Sequence, residues 1–235
     1  MADQSGESRV PALKLFYAPG ACSRVAHIAL EETGAPFEPE LTRFMKGDHK
    51  SPEYLRLNPK GKVPLLVVDG RPLSENVAIL TYLARAFPER KLLPFRGDAF
   101  ADAGIVSLLA WCSSGLHPLV NRLRMPQMSC DQPESFARIR AMASAGLADN
   151  FRIVEARLAE HEWYLGDYSL VDAYLYWIWF RATESGFDPT PFPRYADHHR
   201  RLCERPAVQR ALERETDADA WLESQGLVFR PPGRA

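Results

Sequence analysis

The stretch LKLFYAPGACSR, residues 13–24, decides the fold of the N-terminal part of this chain. Its first five residues are typical of a β-strand, and Pro19 and Gly20 predict a turn. Helical spacing follows from Cys22 and ends at Gly34, a residue type that commonly terminates helices. A strand, a tight turn and a helix therefore follow one another directly, and a cysteine lies in the first turn of that helix.

Cys22 is the most informative residue because of this position. At this position the thiol lies near free backbone N–H groups and the positive end of the helix dipole, and both lower the pKa of a thiol. Arg24 is expected to add positive charge nearby, so we expect Cys22 to be the most reactive of the four thiols near neutral pH. A small buried cysteine at a tight corner is the alternative, and position alone does not choose between them. No C-x-x-C pair is present, so disulfide chemistry would need an external thiol.

The remainder of the N-terminal region reads as a small mixed α/β unit over residues 12–90. A second, weaker strand is predicted at 37–41. A buried strand within 63–70 ends in an Asp-Gly turn, which predicts a hairpin to a short strand at 72–73. Ser74 then opens an amphipathic helix.

Strand signals almost vanish after a Pro- and Gly-containing link at 91–97. The rest of the chain predicts an all-helical domain over 98–215, while residues 1–11 and 216–235 are polar or Pro- and Gly-rich and are predicted to be poorly packed tails. The predicted helices cover 98–123, 134–160, 169–186, 194–205 and 207–214.

One helix start has a clear sequence signature. Ser169 and Asp172 have the spacing of a capping box, in which each side chain reaches the other residue's backbone amide. The segment 174–180 is apolar on every face, which favours a central core helix over an aromatic ligand site.

Composition excludes several classes of protein. The 235 residues include 29 basic and 30 acidic side chains, which removes the main electrostatic argument for nucleic-acid or anionic-membrane partners. The longest uncharged stretch, 103–121, contains Ser, Gly, His and Pro and is interpreted as a buried helix, not a membrane span. The N-terminus has no apolar core typical of a signal peptide, so we expect a cytoplasmic protein with four free thiols. No zinc-ligand spacing is present, and no metal is expected.

Two further motifs could form a binding site. Asn58-Pro59-Lys60-Gly61-Lys62-Val63-Pro64 leads directly into an apolar strand, and a cis bond before Pro64 would turn the backbone N–H and C=O of Val63 outward, towards an extended peptide. Ser74-Glu75-Asn76 places an acid and an amide at a helix start, where they could accept an ammonium group and cradle a carboxylate. Ordinary helix capping is the alternative for this second motif.

Together these motifs resemble the cytosolic glutathione transferases over Leu13 to about Arg214. LKLFYAPGACS is most similar to the bacterial beta class, whose strand–turn–helix carries a G-A-C-S sequence. NPKGKVP resembles the family's cis-proline loop, SENVAIL its γ-glutamyl-binding helix start, and SLVD its capping box. The resemblance implies a thioredoxin-like α/β N-terminal domain followed by an all-α helical domain, assembled as a two-fold homodimer.

The resemblance also implies roles for residues near the glutathione sulfur. Cys22 would face that sulfur and could form a mixed disulfide with it, with Tyr17 and Ser23 close by. Val63, before Pro64, would pair its main chain with the cysteinyl backbone of the tripeptide.

The same comparison implies roles for residues farther from the sulfur. Glu75 would take the γ-glutamyl ammonium and Asn76 the neighbouring carboxylate. Lys46 would reach the glycyl carboxylate. His117 matches a histidine that a long helix presents to the site, although its residue type and position alone favour a helix-surface histidine.

Three residues depart from the family pattern. Pro118 follows His117 where lysine is usual, and it is expected to break or kink the helix. Asn76 replaces serine or glycine. Arg181 stands where beta-class members tend to place tryptophan. The glutathione half of the site therefore resembles the family more closely than the half that selects the second substrate.

The sequence thus favours a glutathione-dependent transferase or thiol–disulfide exchange enzyme. Its partners would be glutathione, as substrate or cosubstrate, and a small electrophilic or disulfide second substrate. A dehalogenase or isomerase that uses glutathione as cofactor differs only in that second substrate. The alternative from another class is a catalytically silent relative that acts as a protein-interaction module.

Overall fold

A computed structural model describes residues 10–229 of the chain. Residues 1–9 of the predicted N-terminal tail and 230–235 of the predicted C-terminal tail lie outside the described part. The elements of the N-terminal domain are, in chain order, β1 (Leu13–Tyr17), α1 (Ser23–Thr33), β2 (Glu38–Leu41), α2 (Pro52–Leu57), β3 (Leu65–Val68), β4 (Arg71–Ser74) and α3 (Asn76–Ala86).

The four strands form one mixed sheet in the order β2-β1-β3-β4. β1 runs parallel to β2 and antiparallel to β3, and β3 pairs with β4 as the predicted hairpin. Asp69 and Gly70 form its turn with φ values of 47° and 79°, a backbone region that favours glycine. Alternation turns Leu13, Leu15 and Tyr17 to the same buried face of the sheet. The predicted thioredoxin-like α/β arrangement is confirmed.

The second part of the chain is helical, as predicted. Its elements are α4 (Ala99–Ala110), a π-helical turn (Trp111–Leu116), α5 (His117–Arg124), α6 (Phe136–Leu158), α7 (Leu170–Glu184), α8 (Pro193–Cys203) and α9 (Pro206–Ser224). Every side chain from Leu170 to Trp179 is buried, so the predicted central core helix is confirmed. α7 packs against α1, α5 and α8, and one continuous apolar core joins the sheet to the helices.

The predicted end of the last helix was wrong. We predicted a helix over 207–214 and a tail from residue 216, but α9 continues to Ser224. Glu215, Ala218 and Leu222 are buried on one face of this extension, so packing against the rest of the molecule holds it.

Of the two outcomes that we expected for Pro118, a break or a kink of the helix, the break does not occur. α4, the π turn and α5 form one uninterrupted 26-residue helix, Ala99–Arg124. Proline lacks an N–H and clashes with the carbonyl four residues earlier, and the wider π turn immediately before it relieves both constraints. The hydroxyls of Ser113 and Ser114 donate to the Ala110 carbonyl at 3.1 and 2.7 Å, which satisfies an acceptor within the widened turn.

Among the described residues, this helix is the one that could cross a membrane by length and composition. One side of it is in the protein core, where Ile105, Leu109, Leu116 and Val120 are buried. It packs through this side against α6 and α7.

The capping box forms and also connects more distant elements. The Asp172 carboxylate accepts hydrogen bonds from the Ser169 N–H at 2.9 Å and from the Tyr164 N–H at 2.8 Å. Nε2 of His198 on α8 lies 2.9 Å from the same carboxylate. All these contacts are within the core, which supports the structural role predicted for Ser169 and Asp172.

His27 gives the N-terminal domain a testable pH dependence. It is fully buried between the rings of Tyr17 and Phe37, and neither ring nitrogen has a hydrogen-bond partner. Burial lowers the pKa of His27 to about 4. Between that value and about 6.5 the unfolded chain binds more protons, so the free energy of unfolding falls as the pH falls below 6.5.

We predict that His27→Phe reduces this pH dependence. The wild type should lose about 2 kcal/mol more unfolding free energy than the variant between pH 7 and pH 5. At pH 7 the variant should be at least as stable, because phenylalanine leaves no ring nitrogen unpaired in the core. Urea denaturation at the two pH values measures both quantities. Parallel losses in the two proteins would contradict the assignment.

Candidate functional site

The loop between β1 and α1 is held by its own hydrogen bonds. Ser23 Oγ accepts from the Ala18 N–H at 3.1 Å and donates to the Ala18 carbonyl at 3.2 Å. The Ala21 N–H donates to the same carbonyl at 3.1 Å. Ser23 is fully buried, so in this structure its hydroxyl fixes the loop that carries Cys22.

The three predicted motifs meet at Cys22. Its thiol donates to the Val63 carbonyl, with Sγ and oxygen 3.5 Å apart. The carbonyl of Cys22 accepts a hydrogen bond from Asn76 Nδ2 at 2.9 Å. The Val63–Pro64 peptide bond is cis, and among the described residues the Val63 N–H has no hydrogen-bond acceptor. The structure thus brings Cys22, Val63, Pro64 and Asn76 together as the sequence predicted.

The electrostatic prediction for Cys22 was wrong. Burial raises the pKa of its thiol to about 12, although the helix-terminal backbone acts in the opposite direction. The thiol proton also has an acceptor in the Val63 carbonyl, which favours the neutral form. The pKa of Cys22 is therefore raised and not lowered, which favours the neutral thiol at pH 7 and the alternative of a small buried cysteine at a tight corner.

Arg24 does not supply the positive charge that we assigned to it. Its guanidinium is buried, donates to Glu215 Oε2 at 2.6 and 3.0 Å and stacks on Phe180 at 3.9 Å. The cations that lower the pKa of Cys22 are Lys62 and Arg181. The sequence analysis missed Lys62 as a residue near the thiol, although it directly precedes Val63 in the cis-proline motif.

Glu75 and Asn76 differ in exposure. Glu75 lies immediately before α3 with φ 76° and ψ 126°, a conformation that non-glycine residues rarely adopt. Its exposed carboxylate pairs with Lys60 Nζ at 2.6 Å. Asn76 is buried, and its amide joins the start of α3 to the start of α1 through Cys22. Its Oδ1 has no hydrogen-bond partner.

Two predicted site residues are not brought to Cys22. Tyr17 packs its ring on His27 at 5.1 Å, and burial raises its pKa to about 12. It lines a cleft with residues of β2 and α9, among them Trp221. Lys46 is exposed at the end of a short 3₁₀ turn, Phe44–Lys46, and has no contact with Cys22.

His117 lies where the helical domain faces Cys22. Its ring meets the Trp177 ring at 4.6 Å, and burial together with the nearby cations Lys62 and Arg181 lowers its pKa to about 4. It is therefore neutral at pH 7. The predicted alternative of a helix-surface histidine does not describe this environment. Tyr174, which the sequence analysis assigned only to the core, is buried on the same side of α7 as Trp177 and is close enough to influence Cys22 electrostatically.

Hydrogen bonds from other elements hold both the backbone N–H and the backbone carbonyl of Gly20. Its N–H donates to Glu215 Oε2 at 2.8 Å, and its carbonyl accepts from Trp177 Nε1 at 3.2 Å and from Arg181. Gly20 has φ 65°, a backbone conformation that favours glycine. We call these three side chains, Glu215, Trp177 and Arg181, the Gly20 clamp. It connects the loop of Cys22 to α7 and α9.

Comparison with known proteins agrees with this architecture. A family profile described as glutathione S-transferase, N-terminal domain, matches residues 11–85. The chain is 34% identical over 208 residues to the glutathione S-transferase GstA of Escherichia coli O157:H7, with 86% of this chain and 98% of the relative covered. The chain belongs to the glutathione S-transferase family.

Two solved transferase structures and one further relative extend this finding. The bacterial beta-class glutathione S-transferase of Sphingomonas chungbukensis is 32% identical, with a TM-score of 0.75 over 86% of this chain and 98% of that one. A sphingomonad glutathione S-transferase complexed with glutathione is 33% identical, with a TM-score of 0.76 over the same shares. The disulfide-bond oxidoreductase YfcG of Escherichia coli K12 is 28% identical over 209 residues, covering 85% of this chain and 94% of that protein.

Among residues 10–229 of this chain, no group of three or more His, Cys, Asp or Glu side chains could hold a metal ion. The polar groups around Cys22 are instead backbone amides, carbonyls and separate side chains, which suit an extended peptide with charged ends.

The Gly20 clamp predicts a specific consequence of changing Glu215. Glu215→Gln leaves Arg24 buried without a counter-charge, which should cost roughly 3 kcal/mol of unfolding free energy. The loosened loop should also let iodoacetamide alkylate Cys22 faster at pH 8. Denaturant unfolding and mass spectrometry of the alkylated protein measure the two effects.

Glu31→Gln is the matched control. Glu31 also joins α1 to α9, through Arg210 at 2.7 Å and Arg214 at 2.9 Å, but it lies near the other end of α1. Its loss should cost less stability, because both arginines are half-exposed. The alkylation rate of Cys22 should stay unchanged. Equal acceleration in both variants would show that general domain docking, and not the Gly20 clamp, restrains the thiol.

Proposed function

We propose that this chain binds glutathione and activates its thiol for attack on an electrophile. The observation that carries this proposal is the convergence of Cys22, Val63 and the start of α3 around one point. A peptide with a thiol at its centre and an amino acid group at one end matches that arrangement. The glutathione complex of the sphingomonad relative supports the same ligand.

The Val63 backbone accounts for the central part of the tripeptide. Its N–H is unpaired among the described residues, and its carbonyl accepts only the weak S–H donor of Cys22. The cysteinyl C=O and N–H of glutathione can form hydrogen bonds with the Val63 N–H and C=O, in the manner of an added β-strand. This exchange releases the Cys22 S–H, which can then donate to the glutathione sulfur.

The start of α3 accounts for the γ-glutamyl end. The exposed Glu75 carboxylate would exchange Lys60 for the ligand ammonium. The carboxylate of the ligand would lie against the backbone N–H of Asn76 and the positive end of α3. The side-chain amide of Asn76 already donates to the Cys22 carbonyl. In this proposal the backbone N–H of Asn76, and not its side chain, therefore binds the γ-glutamyl carboxylate. Lys46 remains our proposal for the glycyl carboxylate.

Glutathione, and not Cys22, is the nucleophile in this mechanism. The bound thiol loses its proton to solvent, and the thiolate accepts a hydrogen bond from the neutral Cys22 thiol while Lys62 and Arg181 supply positive charge. The thiolate attacks the electrophile from the side of α5 and α7, where neutral His117 and Trp177 lie. We propose a cytoplasmic homodimer as the working form. The side chain of Phe100 on α4 is 91% exposed, and a large apolar side chain in this position suits burial against a second subunit.

Thiol–disulfide exchange is the second candidate, favoured by the presence of Cys22 itself and by the similarity to YfcG. In this reaction the Cys22 thiolate attacks the glutathionyl sulfur of a disulfide between glutathione and another small thiol, forms a mixed disulfide with glutathione and releases the other thiol as its thiolate. A second glutathione thiolate then attacks the mixed disulfide, which regenerates Cys22 and oxidised glutathione. The raised pKa of Cys22 makes the first step slow at neutral pH.

We predict that Glu75→Gln weakens glutathione binding roughly 10- to 100-fold, the range expected for loss of a charged hydrogen bond. Titration calorimetry with glutathione measures the dissociation constant. Glu89→Gln, a change at another exposed acid in the same domain, should leave it unchanged. If Glu75→Gln binds glutathione as the wild type does, the Glu75 carboxylate has no part in binding and only pairs with Lys60. If the wild type itself does not bind glutathione, the protein-interaction alternative becomes the better one.

The raised pKa of Cys22 separates the two chemistries. Without glutathione, alkylation of Cys22 should be slow at pH 7 and rise about tenfold per pH unit up to about pH 10, because only the thiolate reacts. Cys22→Ala should abolish the mixed disulfide with oxidised glutathione but retain part of the conjugating activity towards 1-chloro-2,4-dinitrobenzene. Complete loss of conjugation, at unchanged glutathione affinity, would make Cys22 a participant in that reaction as well.

A further inference from the structure

Arg181 is a cation buried beside the site without an anionic partner. Its side chain is on α7, and the residue is 9% exposed. Within residues 10–229, no carboxylate forms an ion pair with it, and its hydrogen bond is to the neutral Gly20 carbonyl. Its guanidinium also stacks on Phe180 at 4.7 Å, which does not neutralise the charge.

The carboxylate of Glu215 is already occupied by other groups. It holds Arg24 and the Gly20 N–H through Oε2, while Oε1 has no hydrogen-bond partner. The charges of Arg24 and Glu215 therefore neutralise each other, and the positive charge of Arg181 has no counter-charge. Burial, with repulsion from Arg124 and Arg24, lowers the pKa of Arg181 to about 9, so the group is still positive at neutral pH.

Contacts place Arg181 where a second substrate must arrive. Trp177, one helical turn earlier, donates to the same Gly20 carbonyl, and its ring contacts His117. Gly20 is two residues before Cys22, and Arg181 is near enough to Cys22 and His117 to lower the pKa of each. Arg181, Trp177 and His117 therefore lie together on the side of the site that the helical domain forms. The glutathione groups proposed above lie against Val63 and α3, in the other domain. Arg181 is therefore left for the molecule that reacts with the glutathione sulfur.

We propose that Arg181 binds an anionic group of the second substrate, so that this site prefers electrophiles carrying a carboxylate or a sulfonate. A buried guanidinium without a counter-charge is unfavourable, and an incoming anion supplies the missing charge with two parallel hydrogen bonds. This inference rests on the proposed function, because glutathione must bind for the second substrate to have its place.

A pair of conjugates that differ only in charge tests the inference without turnover. S-(4-carboxybenzyl)glutathione should bind the wild type at least tenfold more tightly than S-benzylglutathione, measured by titration calorimetry at low salt. Arg181→Gln should remove this preference by weakening the carboxylated conjugate about tenfold more than it weakens S-benzylglutathione. Arg181→Lys should keep part of the preference, since it keeps the charge but loses the planar fork. Arg200→Gln, on the exposed face of α8, is the control for net charge and should change neither.

The outcomes separate this inference from the proposed function. Equal affinities of the two conjugates in the wild type overturn the anionic preference, and this comparison needs no variant to fold. Equal weakening of both conjugates by Arg181→Gln shows that Arg181 only holds the Gly20 loop, which also overturns it. If glutathione binds but the preference is absent, only this inference fails. If neither glutathione nor either conjugate binds, the proposed function fails with it.

Discussion

The structure depends on how the Gly20 peptide is held. Glu215 takes its N–H, and Trp177 and Arg181 take its carbonyl, so two helices of the helical domain fix the loop between β1 and α1. These hydrogen bonds are buried, and an unpaired backbone group there would be strongly unfavourable. The ion pair of Arg24 with Glu215 holds the accepting carboxylate in place. The position of Cys22 is thus set by both domains together.

Burial outweighs the helix dipole at Cys22. A charge at a helix N-terminus gains typically about 0.3–1 kcal/mol, which is less than one pKa unit. At the Cys22 thiol burial has the larger effect, because it raises the pKa from 9.0 to about 12 in spite of the helix-terminal backbone. A position at a helix start therefore does not by itself make a thiolate. The consequence is a thiol that keeps its proton and can donate it in a hydrogen bond to a bound sulfur.

The sequence was sufficient for the parts of the fold that depend on local patterns. The strand–turn–helix around Cys22, the hairpin at Asp69–Gly70 and the buried helix α7 each follow from periodicity and turn residues. The meeting of Cys22, Val63 and Asn76 followed from family motifs. The direction of the Arg24 side chain could not be predicted, because its partner Glu215 is 191 positions away in a segment whose composition resembles a tail. Long-range charge pairing, not local propensity, decides both the role of Arg24 and the length of α9.

The π turn before Pro118 shows how a local departure shapes the site. It inserts about one extra residue into the helix, which rotates everything after it by roughly 100° relative to an unbroken α-helix. His117 follows the turn directly, and its N–H bonds to the Cys112 carbonyl five residues earlier. Proline at 118 cannot donate the next helical hydrogen bond, so the wider turn and the proline suit each other. Pro118 and the π turn before it therefore determine which face of the helix carries His117 towards Trp177. Pro118 and Arg181, two of the three departures from the family pattern, therefore both lie on the helical side of the Cys22 site, whereas the opposite side is built mainly from backbone groups of Cys22 and Val63.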